Sequence, residues 1–436
     1  MSRFANGALY AKGVRFGSEA SYRHAQSTQY LKPPYRVRSH HHIFLYIGLI
    51  VYRWFIVKIV GLETFLVNPT GRGRNWIYVK IRTDEGIEGV GEAFNTGKDK
   101  ATEAVIHDYG RWLVGKDPTK VVYHWQALYR SSRFPLGTVS MGALSAVEQA
   151  LWDITGKRYD APVYKLLGGP CRERVRAYTH VHGDTPEELA KNASSIVRKG
   201  FTAIKFAPHP PNYLRKGVNA VIREAFERVK AVRDVVGEDV DICLDYHGVE
   251  FSPCNAVKMA KALEPLKPFF LEEPVLHENV EALLEVKSKT TIPIATGERL
   301  FTRYGFRELI EKRAADIVQP DPIVCGGILE TLRIASEAET RYMTLAPHNP
   351  FSPVATAVCV HVDACAPNFL IQEYIPDEGV RRKIVKKPIR FEDGYLLLPE
   401  EPGLGIELDE KILSEYPFRP WDREVAIKED GSIGLV

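Results

Sequence analysis

From Val57 onward the apolar and polar positions follow regular periods. Val57–Val67 is an apolar run of strand length. Trp76–Arg82 alternates, with Ile77, Val79 and Ile81 on one face, and the turn Thr83-Asp84-Glu85-Gly86 leads into Ile87–Glu92. Short period-two segments joined by breaker-rich turns predict a meander of three strands. The period then changes. Leu144, Val147, Leu151 and Ile154 form one apolar stripe of a helix, and Gly156 just beyond them is a candidate helix end. Gly168-Gly169-Pro170 concentrates breakers and marks the candidate boundary of a first domain.

Beyond that point short apolar runs alternate with amphipathic stretches. The runs are Val175–Val181, Ala203–Phe206, Asp241–Leu244, Phe269–Leu271, Pro293–Ala295, Asp316–Val318, Met343–Ala346 and Phe369–Ile371. Ala256, Ala260 and Leu263, and again Ile328, Leu332 and Ala335, carry helical spacing between them. Eight strands with helical connections predict a parallel sheet closed as a TIM-type barrel. A doubly wound open sheet is the alternative, but no GxGxxG follows the first strand to favour it. From about Pro388 to Val436 the unit does not recur. That segment contains Pro402-Gly403-Leu404-Gly405 and is expected to pack back on the first domain.

Polar residues stand where the predicted strands end. Asp245 and His247 follow strand three, Glu272 and Glu273 strand four, Glu298 strand five, Asp321 strand six, His348 strand seven and Glu373 strand eight. Consecutive members lie 23 to 27 residues apart, one position in a repeated unit. Strand C-termini of a barrel converge on the face that holds active sites. Asp245, Glu272 and Glu298 come from consecutive strands, and three oxygen donors without cysteine suit a hard divalent ion such as Mg²⁺. A single acid at a strand end is more simply a helix cap or loop ion pair. Strand alternation allows only one of Glu272 and Glu273 to point inward, and either fits as the ligand.

Composition narrows the function classes. With 45% hydrophobic and 26% charged residues, the chain is neither disordered nor collagen-like. The net charge of +3 is unevenly placed. Residues 1–56 hold eight basic residues and one acid, Glu19, so everything after them is mildly acidic. An acidic body argues against nucleic acid as a partner. Six cysteines without CxxC spacing argue against zinc or a disulfide scaffold and point to a cytoplasmic setting. Residues 1–56 read as a basic extension outside the fold. Their His40–His42 run reads as a solvated loop or tag remnant, and a transit peptide fits the composition weakly. The uncharged stretch Ile43–Tyr52 is too short to span a membrane, since a spanning helix needs about 20 apolar residues. No membrane partner is expected.

Leu244-Asp245-Tyr246-His247, Leu271-Glu272-Glu273-Pro274, Gly297-Glu298-Arg299, Gln319-Pro320-Asp321, Ala346-Pro347-His348 and Gln372-Glu373 resemble the barrel motifs of the enolase superfamily, mandelate racemase subgroup. The resemblance runs through nearly everything after Val57 and is strongest to galactonate dehydratase and related acid-sugar dehydratases. It implies a modified (β/α)7β barrel, residues 172–387, with an α+β capping domain built from residues 57–171 and completed by residues 388–436. It implies Mg²⁺ on Asp245, Glu272 and Glu298, a His348–Asp321 general-base dyad, and Glu373 as hydrogen-bond donor to the developing enolate. It also implies that homo-oligomers are common.

Racemases and cycloisomerases of the subgroup carry a Lys-x-Lys pair on strand two, whereas this chain has Lys205-Phe206-Ala207. The second lysine is missing, which weakens those readings. His247 lies two residues beyond Asp245 and so shares its strand face. In the dehydratases resembled, this histidine is the general acid for the leaving 3-hydroxyl. Lys205 is expected either to meet the substrate carboxylate or to pair with a barrel carboxylate. Two loops, 68–75 and 131–139, are expected to cover the site, with Arg72 or Arg74 reaching the distal hydroxyls of a sugar acid. The expectation is therefore a Mg²⁺-dependent aldonate dehydratase. An epimerase or racemase of the same fold and a non-catalytic sugar-acid binder are the competing readings.

Overall fold

A computed structural model of the chain describes residues 57–94, 97–131, 133–134, 137–249, 252–423 and 425–434. The basic segment 1–56, with its His run and apolar stretch, lies outside the described residues.

The meander forms as its alternation predicts. Strands β1 (Ile59–Val67), β2 (Trp76–Thr83) and β3 (Glu88–Ala93) make an antiparallel sheet with β2 in the middle. One face of β2 presents Ile77, Val79 and Ile81 to a helical layer that includes Leu144, Val147, Leu151 and Ile154. The other face is apolar too: Trp76 and Tyr78 join the cluster that contains the barrel residues Val175 and Leu244. The central strand is thus buried on both sides.

The helix Thr138–Arg158 lies directly across β3. Two glycines permit this contact, because a Cβ on Gly89 or Gly91 would come within 2.1 Å of a helix carbonyl oxygen. Gly156 does not end the helix, contrary to its apparent place beyond the apolar stripe. It stays helical, and its missing side chain admits Gly403, whose Cα would lie 2.6 Å from a Cβ there. The C-terminal segment is pinned at the same spot, where Leu404 N–H donates to Asp153 at 2.8 Å and Val163 N–H donates to the Gly403 carbonyl at 2.9 Å.

Seven parallel strands follow: β4 (Arg174–His180), β5 (Ala203–Phe206), β6 (Asp241–Asp245), β7 (Phe270–Glu272), β8 (Ile294–Thr296), β9 (Ile317–Val318) and β10 (Thr344–Leu345). Each pairs with the next in order. An eighth segment closes the ring. Phe369 bridges Leu345, and β11 (Gln372–Glu373) pairs in parallel with β4. A helix of nine or more residues follows each of β4 to β10, whereas the next helix after β11, Val380–Lys383, has only four residues. This is the (β/α)7β arrangement. Inside the ring, Tyr178, Ala203, Cys243, Phe270, Ala295, Ile317, Ala346 and Ile371 form one closed apolar layer. The polar strand ends rest on this apolar layer, as expected of a packed barrel. Among the described residues, no helix is long and apolar enough to cross a membrane.

Buried carboxylates join the capping domain to the barrel. Glu148 accepts the N–H groups of Ile328 and Leu329 at 2.8 and 3.0 Å, at the start of the helix Ile328–Glu339. Glu92 does the same for Ala355 at the helix Pro353–Cys365. Both satisfy helix N-terminal donors that would otherwise be orphaned. Burial pushes Glu148 up from 4.5 to about 7. Folding therefore takes up a proton between those values, so this group's contribution is complete below about 4.5 and is lost as the pH rises through about 7. Glu148→Gln is expected to cost about 1–3 kcal/mol, read as a lower urea midpoint, and to flatten the pH dependence of that midpoint across the same window.

Candidate active site

The strand ends open into a cavity of about 720 Å³. Lys205, Asp245, Glu298, His348 and Glu373 line it from the barrel, and Phe94 and Thr138 cover it from the capping domain. The β6–β7 register sets Asp245 directly beside Glu272. The Lys205 ammonium, fully buried, stands between carboxylates: 3.2 Å from Asp245, 3.0 Å from Glu272 and 2.8 Å from Glu373. Gln319 donates to the other oxygen of Glu272 at 2.9 Å. One lysine does not neutralise this group. Burial, and then the Asp245 charge, push Glu272 well above the usual carboxylate range.

On the opposite side His348 Nδ1 lies 2.8 Å from Asp321 Oδ2. Asp321 is held in place by the N–H of Ile323 at 2.9 Å, in a loop that the capping helix buttresses through Ser145 and Gln149. The Nε2 edge of His348 faces Glu298 at 3.5 Å. Burial opposes a charge on this ring, but Glu298, Glu373 and Asp321 outweigh it and raise the imidazole to about 10. Phe351 packs edge-on against the ring at 5.8 Å and is itself met by Phe94 of the capping domain.

His247 stands across the cavity with Nε2 3.3 Å from Asp245 Oδ2. Strand alternation does not put it there. β6 ends at Asp245, and His247 sits in a left-handed turn at φ 53°. The turn is held by Asp245 Oδ1, which accepts the His247 N–H at 3.1 Å, and by Arg299, which donates to the His247 carbonyl at 2.8 Å.

Two matches cover the described fold in sequence. Residues 67–168 match the mandelate racemase / muconate lactonizing enzyme N-terminal domain, and residues 188–412 match the enolase C-terminal domain-like family. The chain belongs to the enolase superfamily. Among its relatives in that superfamily, the D-galactonate dehydratase of Variovorax paradoxus strain S110 is 38% identical over 86% of this chain and 99% of that protein. The D-galactonate dehydratase of Klebsiella pneumoniae strain 342 is 36% identical over the same shares. The crystal structure of an Agrobacterium radiobacter enolase, provisionally assigned as a galactarate dehydratase and bound to Na and L-malate, aligns with a TM-score of 0.83. It is 35% identical, over 87% of this chain and all of that one.

In this enolase-superfamily barrel the strand-end residues gather as their spacing predicts, with two differences, at Glu273 and Glu373, and two open alternatives resolved, at Lys205 and at Arg72 and Arg74. Glu273 does not turn outward when Glu272 turns in. A φ of 42° folds it back, and it is buried against Arg299 at 2.9 Å. Glu373 is not set up as a hydrogen-bond donor. It accepts from His180 and from the Asn349 N–H, and it is paired with Lys205. Burial opposes ionisation, but Lys205, His348 and His180 together hold it well below the usual carboxylate range. Lys205 takes the second of its two expected roles, pairing with barrel carboxylates. Arg72 and Arg74 are both exposed, and of the two only Arg74 lines the cavity.

Several cavity residues carried no assignment in sequence. His180 ends β4 and obeys the same strand-end phase as Asp245, so that rule applied to the first strand would have found it. Arg299 was visible only as part of a motif. Arg423 comes from the aperiodic C-terminal segment, which has no repeat to locate it.

Proposed function

We propose that the chain is a Mg²⁺-dependent acid-sugar dehydratase of the galactonate dehydratase type, working in the cytoplasm. The observation that carries this reading is the placement of two histidines in one cavity. His348, with its aspartate, and His247 stand beside different members of the carboxylate group Asp245, Glu272 and Glu298. A racemase needs bases on both faces of one carbon. A dehydratase needs one base and one acid.

Asp245, Glu272 and Glu298 would hold the cation. They fit one by donor type, as hard oxygen ligands, and by their surplus of buried negative charge, which keeps Glu272 raised. Among the described residues no three His, Cys, Asp or Glu side chains converge as a preassembled cluster, and Lys205 is paired with both Asp245 and Glu272. When bound, the cation supplies positive charge at the substrate carboxylate, which makes the neighbouring C2 proton more acidic.

The residues then divide the work. His348 Nε2 takes the C2 proton, while Asp321 holds Nδ1 and stabilises the resulting imidazolium. His348 acts as a base only when neutral, so offsetting the Glu298 charge is part of preparing it. His247, about half exposed, donates its proton to the C3 hydroxide as the C–O bond breaks. Water leaves, and the enol formed tautomerises to a 2-keto-3-deoxy acid. Phe94 and Phe351 shield the base from bulk solvent.

A screen of five- and six-carbon aldonates with Mg²⁺, starting with galactonate, is expected to yield 2-keto acid, detected by semicarbazide absorbance. Absence of keto acid from every aldonate, with metal bound, would favour a non-catalytic binder. Accumulation of a C2 epimer by NMR would favour an epimerase.

A further inference from the structure

His247 borders two spaces. It lines the main cavity and also a second cavity of about 440 Å³. His209 and Tyr246 line the second cavity but not the first. The backbone of the His247 turn is well tied. Gly248 follows His247 in the left-handed region, at φ 65°, and its N–H donates to the Glu273 carbonyl at 2.8 Å. The Tyr246 N–H donates to the Glu272 carbonyl at 3.0 Å. Two consecutive left-handed residues persist only where the surroundings hold them. Tyr246 anchors the turn by its fully buried side chain. The His247 imidazole faces both cavities, so packing alone does not fix its place.

Tyr246 rests on His209. The two rings meet edge to face, with centroids 4.2 Å apart and planes at 66°. Tyr213 backs His209 from 4.9 Å. His209 lies three residues beyond β5 and is only 8% exposed. A phenyl ring there would pack against Tyr246 equally well. The imidazole adds a buried nitrogen, Nε2, which has no hydrogen-bond partner among the described residues. Leaving such an atom unmet costs stability, so its presence calls for a reason. Burial, and then the His247 charge, lower His209 from 6.5 to about 3, so the ring is neutral and keeps one acceptor nitrogen. The second cavity has room for water, and a water bridging two polar side chains is nearly as favourable as a direct hydrogen bond.

We propose that His209 is a positioning residue for the acid step. It supports the His247 turn through Tyr246 and, by way of water in the second cavity, hydrogen-bonds the His247 imidazole. Together these contacts hold the imidazole for delivery of its proton to the leaving C3 hydroxide. His209 does not line the main cavity and so acts without touching the substrate. The inference rests on the dehydratase reading, which makes His247 the acid.

The test uses the full chain with Mg²⁺ and an aldonate that the parent protein dehydrates. His209→Phe is expected to lower kcat for keto-acid formation at least tenfold, part of the contribution of a positioned acid, while KM stays within twofold. Exchange of the C2 proton with D₂O should be retained, so the ratio of exchange to keto acid rises at least tenfold. The urea midpoint should not fall, because the ring packing is kept. A 3-deoxy-3-fluoro analogue isolates the acid step: fluoride leaves without needing a proton, so His209→Phe should release it as fast as the parent does. His209→Gln, which brings back hydrogen-bonding groups, should recover part of the loss. His209→Leu carries the same predictions if the phenylalanine variant does not fold. Keto-acid formation as fast as in the parent, equal losses of exchange and elimination, or slowed fluoride release overturns the proposal while the dehydratase reading stands. Absence of keto acid from every aldonate with the parent protein refutes that reading and this inference with it.

Discussion

His348→Asn is expected to abolish both exchange of the substrate C2 proton with D₂O and formation of keto acid, while His247→Asn still exchanges that proton but makes little product. The expected loss in keto-acid formation is about 10²–10⁴-fold for each, the usual contribution of a positioned acid or base. Geometry separates the two roles. His348 is held at 2.8 Å by a buried aspartate and shielded by Phe351, so it is oriented for one proton transfer. His247 lies on the other side, beside Asp245, on a turn clamped by Arg299. NMR of substrate recovered from D₂O makes the measurement. Continued C2 exchange in His348→Asn would show the base assignment to be wrong.

Lys205→Met is expected to destabilise the metal-free protein by about 3–5 kcal/mol, the usual cost of leaving a buried charge without its partner. Here one ammonium serves three carboxylates, all within 3.2 Å. Lys205 is also the leading cause holding Glu373 below the ordinary carboxylate range against burial, and it does the same for Asp245. A depressed carboxylate contributes stability that is present above its unfolded pKa and lost on acidification. The deficit in the variant should therefore be larger near pH 8 than near pH 4. Mg²⁺ should raise the unfolding midpoint of Lys205→Met more than that of the parent protein, because a divalent ion replaces the missing charge. Urea unfolding in EDTA and in Mg²⁺ gives both results. A variant as stable as the parent in EDTA would mean that the buried carboxylates do not depend on this lysine.

Much of this architecture is legible in the residues alone, for a specific reason. Alternation in Trp76–Arg82 and the stripe Leu144–Ile154 are local patterns, and local backbone geometry converts them directly into a strand and a helix. The recurrence from Asp245 to Glu373 is legible because a barrel repeats one unit, so a fixed spacing becomes a shared face. What the strand and helix rules did not supply was the backbone path just past the end of an element. His247 reaches the cavity through a left-handed turn, not through strand alternation. Glu273 is folded inward for the same reason. Gly156 looks like a helix end but answers to Gly403, which lies 247 residues further along the chain and which no local pattern can connect to it.

By itself, then, the sequence determined the element types, the repeated barrel and the set of polar groups at its mouth, because these depend on periodicity and short-range geometry. Only the tertiary structure decided what those groups are to each other. It made Lys205 the shared partner of three carboxylates and Glu373 an acceptor, and it chose Arg74 over Arg72. It also brought Arg423 from the far end of the chain to the same cavity. Charge state and pairing depend on distances across the ring and between domains, and those exist only once the chain has closed.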